Sequence, residues 1–315
     1  MSPTDALTGA ASSSSWMTWL GTWLSRGTSL TVAAVAVGLG LLYRHQDRLL
    51  YFPTVGDLPR HNADNPWGYR HPGNFSPDYS SHRMPSADDG VAVHAWFMPA
   101  TRAAGSDNTA SAKLPVLLFF HGNAGNIGLR LPNAKAFMKH VHGVHLLLVD
   151  YRGYGDSDDA VPTEEGLQRD AVAAWDYVRK ELATTRNDVD ATQIYVFGRS
   201  LGGAVAVSLA AHAEAAGAPL AACLLENTFT SISAMVDSVL PFLTPIKHWV
   251  LTIGWDSLTL LRQGRLRRTP VLLLAGDADT LVPHAHMRAL RAAAMEHVPL
   301  MQWHVIAGGT HNESS

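Results

Sequence analysis

One serine stands in a pentapeptide that is typical of activated serine nucleophiles. Gly198-Arg199-Ser200-Leu201-Gly202 fits the pattern G-x-S-x-G, between the strand-like run QIYVFG and the helix-like run LGGAVAVSLA. In that context the serine occupies a sharp turn from strand to helix, which lifts its hydroxyl above the sheet edge. Small residues are needed on both sides because a side chain there would collide with neighbouring backbone. The pattern predicts Ser200 as a nucleophile if the chain also supplies a base and an acid.

The base and the acid are expected on two later loops. A serine hydroxyl needs a base within hydrogen-bond reach, and the base needs a carboxylate that orients it. Strand-like runs precede both GDADTLVP, which contains Asp279, and GGTHNE, which contains His311. This gives the order serine, acid, histidine. Asp277 is the alternative acid. Other histidines in the last third of the chain fall on helix-like runs or within a strand: His284, His286, His297 and His304.

Two backbone amides are predicted to form an oxyanion hole. One belongs to Leu201, directly after the nucleophile, and the other to Asn123 in HGNAGN, a glycine-rich loop after a strand-like run. The loss of one such donor costs about 2.7–4 kcal/mol of barrier. HGNAGN lacks the lysine and the spacing of a phosphate-binding P-loop. The cluster His140, His142 and His145 has no accompanying carboxylate or cysteine set. We therefore expect no cofactor and no metal.

The elements that must position these residues alternate along the chain. Strand-like apolar runs lie at Val116–Phe120, His145–Val149, Ile194–Phe197, Ala222–Leu225, Val271–Leu274 and Gln302–Ile306, with helix-like segments between them. This alternation predicts an α/β fold with a mostly parallel central sheet flanked by helices. A hairpin turn at Asp88-Asp89-Gly90 predicts two further strands before the first run. All the candidate loops then meet at one edge of the sheet.

One stretch breaks the alternation. Residues 230–268 follow a strand-like run but contain no obvious strand, and they include Phe242, Trp249 and Trp255. An insertion at a strand's carboxyl end overhangs the ligand crevice of such a sheet. The stretch is interpreted as a small cap, with a long irregular connection as the alternative.

Composition excludes several classes of function. The chain has 315 residues, of which 47% are hydrophobic and 16% are charged, so it can bury a sizeable core. Its net charge of −3 provides no basic field for nucleic acid. The single cysteine, Cys223, cannot form an intramolecular disulfide and falls in a strand-like run.

The N-terminus predicts a membrane anchor. The run from Gly27 to Tyr43 is uncharged, which is at the short end for a transmembrane helix, and Trp16, Trp19 and Trp23 precede it. The first 15 residues lack lysine and arginine, so a cleaved signal peptide is a weaker alternative, as is a buried helix. The predicted organisation is an N-terminal segment over 1–26, a single-pass transmembrane anchor over 27–44, an extended connector over 45–80 and a catalytic domain over 81–315. Orientation and organelle stay open.

Several motifs together resemble one family. In chain order they are QDRLLYFP, HGNAGN, DYRGYGDS, GRSLGG, ENTF, GDADTLVP and GGTHNE. This set resembles the α/β-hydrolase superfamily, and more narrowly its membrane-anchored bud-emergence and α/β-hydrolase-domain-containing group. The resemblance implies an α/β-hydrolase fold with Ser200 as nucleophile, Asp279 as acid, His311 as base and Asn123 as the second oxyanion donor.

The predicted function is acyl hydrolysis. The residues and the resemblance imply a serine hydrolase that acts on an ester or thioester of a lipid-like or lipidated substrate, including palmitoylated protein, at a membrane. Gly202-Gly203 also resembles the prolyl-oligopeptidase clan, which makes a serine peptidase the first alternative. A non-catalytic membrane scaffold is the second alternative. No nucleic-acid partner is expected.

Overall fold

The computed structural model describes residues 33–54, 56–101 and 112–312. The chain divides into two compact units, Met1–His45 and Gln46–Ser315. In the first unit, residues 33–45 are helical. The segment predicted over 1–26 and the first six residues of the predicted anchor lie outside the described residues. Among the helices that the structure does describe, none combines the length and the apolar character needed to cross a bilayer. The anchor therefore stays a prediction.

The second unit contains an eight-stranded sheet in the order β1-β2-β4-β3-β5-β6-β7-β8. The strands β1 to β8 are Ser80–Pro85, Ala92–Met98, Leu114–Phe120, His145–Val149, Val189–Arg199, Ala222–Glu226, Val271–Gly276 and Met301–Ile306. The strands β1 and β2 pair antiparallel with each other, and β2 pairs antiparallel with β4, whereas β4, β3 and β5 to β8 run parallel. The predicted mostly parallel sheet is confirmed.

Seven labelled helices accompany the sheet. The helices α1 to α7 are Leu131–His140, Glu164–Tyr177, Leu201–Ala215, Ile232–Val239, Lys247–Val250, Ser257–Arg262 and His284–His297. A π-helical turn at Val178–Leu182 and a short turn at Ala183–Thr185 extend α2. Short 3-10 helices lie at Asn62–Asp64, Pro72–Asn74, Ile127–Arg130 and Pro241–Leu243. Ser231 caps α4 through its side chain, which accepts from Ala234 N.

The core lies on both faces of the sheet. One apolar cluster joins alternate strand residues to α2, α3 and α7, and a second joins the opposite residues of β2 to β4 to α1. Helix α3 is apolar nearly all round, so its residues from Leu201 to Val207 are all buried. Burial of one large aliphatic side chain stabilises the fold by about 1.5–3 kcal/mol. The helix that follows Ser200 is therefore a rigid support.

Strand β5 is longer than the apolar run from which it was predicted. Strand β5 begins at Val189, five residues before the run predicted at Ile194–Phe197. Its first half contains Asp190 and Thr192, which are not fully buried, so hydrophobicity marks only the half that is covered on both faces.

Most of the segment predicted as an extended connector is instead folded as part of the second unit. Residues 46–79 belong to the second compact unit and contain helical residues at 46–50 and the first two 3-10 helices. Asn62 is buried and donates to Asp150 Oδ2 at 3.1 Å, and Asn65 donates to Asn126 Oδ1 at 2.8 Å. Polar residues that suggest solvent exposure here satisfy buried polar groups of the sheet domain.

The stretch over 230–268 is a helical insertion between β6 and β7. It contains α4, α5 and α6, and its backbone is fixed to the body of the unit by Glu164 at the start of α2. The Glu164 carboxylate accepts from Gly254 N at 2.6 Å and from Trp255 N at 2.8 Å. We refer to residues 230–268 as the cap.

Candidate active site

Ser200 occupies a strained turn. Its φ of 55° and ψ of −120° lie in a region that side chains rarely adopt, at the junction of β5 and α3. A Cβ added to Gly198 would lie 2.1 Å from Gly202 O, and one added to Gly202 would lie 2.1 Å from Phe120 O. Both contacts are far inside van der Waals distance. The glycines are therefore required by close backbone packing, and the packing maintains a strain of about 1–3 kcal/mol at Ser200.

His311 is paired with Asp279. The His311 Nδ1 lies 2.8 Å from Asp279 Oδ2, and the carboxylate also accepts from Leu281 N and Val282 N, each at 2.9 Å, through Oδ1. Asp277, the alternative acid, instead accepts from Gly308 N at 2.7 Å. The hydrogen bond to a carboxylate fixes the orientation of the imidazole and leaves its Nε2 free to act as a base.

Ser200 and His311 share the sheet edge without a direct hydrogen bond. Within the described residues, the Ser200 hydroxyl makes no hydrogen bond to His311. The two residues follow β5 and β8, and between these strands lie β6 and β7 in the same parallel array. Catalytic hydrogen bonds are often long before substrate binds and tighten in the complex. The structure thus unites the histidine with its acid and brings the serine to the same edge.

Asn227 connects the loops of these residues. It directly follows β6 with a φ of 46°, and its Nδ2 donates to Thr310 O at 3.1 Å and to His311 O at 3.3 Å. Its Oδ1 accepts from Gly276 N at 2.8 Å, at the end of β7. One side chain therefore fastens the histidine loop to the strand that leads to Asp279. The motif ENTF contains this residue, but its spacing gives no sign of the role.

A buried ion pair supports the turn that contains Ser200. The Arg199 guanidinium donates through Nε to Glu226 Oε2 at 2.9 Å and through Nη2 to Glu226 Oε1 at 3.0 Å. The two side chains are 6% and 5% exposed, so solvent screens the pair little. Ser200 N donates to Glu226 O at 3.0 Å, and Thr228 Oγ1 donates to Ser200 O at 2.7 Å. The sequence analysis did not identify Arg199, Glu226 or Thr228 as supporting residues. Their contacts join the Ser200 turn to the end of β6, which is distant in sequence.

The predicted oxyanion residues lie beside Ser200. A Cβ added to Gly122 would lie 3.6 Å from Ser200 Cβ, so the loop that contains Asn123 passes next to Ser200. Leu201 is the first residue of α3, where amides have no partner one turn earlier in the helix. The Asn123 side chain is already engaged: its Oδ1 accepts from Tyr154 Oη at 2.9 Å and from Phe52 N at 3.3 Å, and its Nδ2 donates to Leu50 O. Its backbone amide is thus the candidate donor.

An apolar cavity of about 280 Å³ opens beside the serine. Ser200 and Asn123 form its polar corner, next to Leu201, and the other lining residues are apolar: Leu50, Phe52, Phe229, Ile232, Met235, Val236, Val239, Leu240, Leu281 and Val282. The cap supplies half of these residues, and Leu281 and Val282 follow the Asp279 turn. A cavity of this lining fits an acyl chain and provides no counter-charge for an ionic substrate.

Burial sets the charge of the polar groups around the site. It lowers the pKa of His121 to about 4, since Asp150 Oδ1, at 3.7 Å from the ring Nε2, only partly offsets the loss of hydration. It also lowers the pKa of His286, whose Nδ1 accepts from Thr230. Burial raises the pKa of the Cys223 thiol, so this cysteine is inert. Across the described residues, no group of three or more histidine, cysteine, aspartate or glutamate side chains is arranged to hold a metal.

Known proteins share this architecture. A family described as alpha/beta hydrolase fold matches residues 115–253. Protein bem46 of Schizosaccharomyces pombe is 32% identical over 257 residues, which cover 82% of this chain and 77% of bem46. The alpha/beta hydrolase domain-containing protein WAV2 of Arabidopsis thaliana is 31% identical over 294 residues, which cover 89% of this chain and 85% of WAV2.

A solved structure supports the same fold. The Pyrococcus furiosus esterase Pf2001 aligns with a TM-score of 0.59 at 16% sequence identity, over 82% of this chain and 92% of the esterase. At this identity the likeness shows the fold alone, while the sequence relatives show the family. The resemblance seen in the motifs is confirmed: the chain belongs to the α/β-hydrolase family, in the group that includes bem46 and WAV2.

Proposed function

We propose that this protein is a serine hydrolase that cleaves an ester or thioester of an apolar acyl group. One observation carries the proposal: a strained Ser200 opens into an apolar cavity at the sheet edge where His311 is hydrogen-bonded to Asp279. The fold supports a hydrolase, and this arrangement supports serine chemistry within it.

Ser200 is the nucleophile in the proposed reaction. Its Oγ forms a bond to the acyl carbon while its proton passes to His311 Nε2, and the carbonyl π electrons move onto oxygen. When the oxyanion collapses, the bond to the leaving oxygen or sulfur breaks, and the leaving group takes the proton from His311. Water then attacks the acyl-enzyme by the same sequence and releases the acid and Ser200.

The surrounding groups stabilise the charges that form in these steps. Asp279 accepts from His311 Nδ1, so it favours the imidazolium that forms transiently. The backbone amides of Leu201 and Asn123 are the proposed donors to the oxyanion. Their rigidity comes from α3 on one side and from the engaged Asn123 side chain on the other.

The cavity and the cap favour lipid-like substrates. Apolar residues line nearly the whole cavity, and the cap also exposes Phe242 and Trp249, which are 73% and 75% exposed. Exposed aromatic residues suit contact with a lipid surface or a lipidated protein. The proposal includes a palmitoylated protein as substrate. It also includes a membrane location, with the predicted N-terminal anchor attaching the protein to the membrane.

The test is a substrate panel with a matched variant. Purified protein and Ser200→Ala are assayed on p-nitrophenyl esters from acetyl to palmitoyl, on the matching acyl thioesters and on peptide p-nitroanilides. The proposal requires ester or thioester turnover that Ser200→Ala abolishes, with a preference for apolar acyl groups over acetyl. Preferred cleavage of the peptides would replace it with a peptidase, and no turnover of any substrate by folded protein would favour the scaffold.

A further inference from the structure

The segment QDRLLYFP, residues 46–53, crosses the active-site face of the second unit. We refer to it as the strap. It precedes β1 and lies outside the sheet and the catalytic loops, and it supplies neither the nucleophile nor the acid nor the base. Its contacts nevertheless reach both the cap and the loop of the candidate oxyanion donor.

At its first end the strap is fastened to the cap. Gln46 is 8% exposed, and its Oε1 accepts from Thr252 N at 2.8 Å and Ile253 N at 3.3 Å, while its Nε2 donates to Val250 O at 3.2 Å. The side chain therefore pairs with the cap backbone much as a neighbouring strand would. Tyr51 adds a hydrogen bond between side chains, since its hydroxyl accepts from Trp255 Nε1 of the cap at 2.9 Å.

At its second end the strap is fastened to the oxyanion loop. Asn123 accepts from Phe52 N and donates to Leu50 O, so its side chain binds the strap backbone on both sides of Tyr51. Phe52 also forms an isolated parallel bridge with Ala124, and its carbonyl accepts from Gly125 N at 3.3 Å. The strap and the loop thus hold each other in place.

Between these ends the strap forms one wall of the cavity. Leu50 and Phe52 line the cavity beside Ser200, whereas Leu49 is 58% exposed and does not line it. Met235, Val236 and Val239 of α4, in the cap, line another part of the same cavity. The strap is thus hydrogen-bonded to the cap through Gln46 and Tyr51, and it lines the same cavity as the cap through Leu50 and Phe52.

We propose that the strap determines acyl-chain selectivity, with Leu50 and Phe52 limiting the size of the acyl group that reaches Ser200. The inference rests on the proposed function. Selection by an apolar wall amounts to about 10- to 200-fold per methylene-sized change, so truncation of a large ring in the wall has a measurable effect. Phe52 lies 41% exposed at the mouth, so its removal opens the cavity outward rather than leaving an internal void.

The experiment compares acyl-chain profiles of strap variants. Phe52→Ala, Phe52→Leu and Leu50→Ala are assayed beside wild type on butanoyl, decanoyl and palmitoyl p-nitrophenyl esters. The ratio of kcat/KM for decanoyl over butanoyl is expected to rise about 10-fold in Phe52→Ala, and by less in Phe52→Leu, because the leucine still fills part of the mouth. Leu49→Ala is the matched control, and its ratio is expected to equal that of wild type.

Serine labelling separates this inference from the proposed function. A fluorophosphonate probe reports whether Ser200 is still reactive in each variant. Unchanged chain ratios in labelled Phe52→Ala and Leu50→Ala would overturn the role of the strap, as would an equal change in Leu49→Ala. If Phe52→Ala does not fold, the milder Phe52→Leu decides by the same ratio. Activity that persists in Ser200→Ala would instead overturn the proposed function. The proposed role of the strap in acyl-chain selectivity, which rests on that function, would be overturned with it.

Discussion

The candidate catalytic loops, which contain Ser200, Asp279 and His311, and the cavity wall are built by different means. The catalytic loops follow parallel strands, and they are held by backbone contacts that exclude even a methyl group at Gly198 and Gly202. The wall consists of the strap and the cap, which are tied together and to α2 by polar side chains such as Gln46 and Glu164 and which expose much of their apolar surface. The turn around Ser200 leaves no room for an added atom, whereas the wall leaves part of its apolar surface exposed to solvent.

We expect the first region to determine the reaction rate and the second to determine substrate selectivity. Catalysis requires reacting atoms to be placed within fractions of an ångström, and a misplacement of about 1 Å costs about 100-fold in rate. Selectivity for an apolar chain needs only a boundary of roughly the right size. We therefore expect substitutions in the loops to change rate or stability strongly, and substitutions in the wall to change preference.

The largest effect is expected at Asp279. The Asp279→Asn variant keeps the shape of the side chain but holds the imidazole in the wrong tautomer, so kcat/KM for an ester is expected to fall about 10,000-fold. Asp277→Asn is the matched control, because that carboxylate lies in the same loop as Asp279 and accepts from Gly308 N instead of from His311. Steady-state kinetics of both variants test this, and equal losses would reassign the acid.

The next largest effect is expected at the buried ion pair of Arg199 and Glu226, beside Ser200. Glu226→Gln leaves Arg199 buried without its counter-charge, and breaking one partner of such a pair costs about 3–5 kcal/mol of unfolding free energy. Lys180 and Asp176 form an exposed i,i+4 pair at 2.8 Å, and Asp176→Asn is expected to cost about 0.5 kcal/mol or less. Urea unfolding measures both values, and similar losses would contradict the contrast between buried and exposed pairs.

A pH effect on stability is expected from His121. Its pKa is about 4 in the folded protein and about 6.5 when unfolded, so only the unfolded chain gains a proton between these values. Stability from this residue is complete above about pH 6.5, and about 3 kcal/mol of it is lost as the pH falls to about 4. Unfolding titrations at about pH 7 and about pH 4 are expected to show a smaller loss in His121→Gln. An equal loss in the variant would exclude His121 as the source.

A smaller effect on rate is expected at Asn227, together with a loss of stability, because the residue is buried and the variant places a carboxylate against two carbonyl oxygens. Asn227→Asp retains an acceptor for Gly276 N but cannot donate to Thr310 O and His311 O, so the histidine loop loses its tie to β6. We expect kcat to fall about 10- to 100-fold with little change in KM, because the change misplaces the base and leaves the acyl cavity intact. A rise in KM at unchanged kcat would place Asn227 among the binding residues.

The smallest effect on rate is expected in the cap. Met235→Ala removes part of the cavity lining that the cap supplies, and kcat/KM for an acetyl ester is expected to stay within about 3-fold of wild type, since a short acyl group needs little of that lining. The same variant is expected to alter the ratio between decanoyl and butanoyl esters. A large loss on the acetyl ester would show that the cap also positions catalytic groups.

The sequence predicted the parts that depend on local patterns. The parallel sheet and the helices follow from alternating apolar runs, and the strand-to-helix context of Ser200 and the loop positions of Asp279 and His311 followed with them. The glycines of GRSLGG were predicted to be needed for close packing, and the distances at Gly198 and Gly202 show the contact they avoid.

The rest depends on partners that are distant in sequence. Gln46 and Val250 are 204 residues apart, and no periodicity or spacing connects them. Asn227 likewise contacts a loop more than 80 residues away. Asparagine is also common in ordinary turns, so its presence after a strand does not indicate this contact. The polar segment before β1 was predicted as an extended connector because polarity suggests exposure, whereas Asn62 and Asn65 are buried as hydrogen-bond partners. Such pairings exist only after the chain has folded.

The central claim is that Ser200 is an activated nucleophile, and covalent labelling tests it most directly. The protein is treated with a fluorophosphonate probe, and the modified peptide is located by mass spectrometry in wild type, Ser200→Ala and His311→Ala. The account predicts one modified residue, Ser200, with no labelling in Ser200→Ala and strongly slowed labelling in His311→Ala. Labelling of another residue, or none in folded wild type, would contradict it.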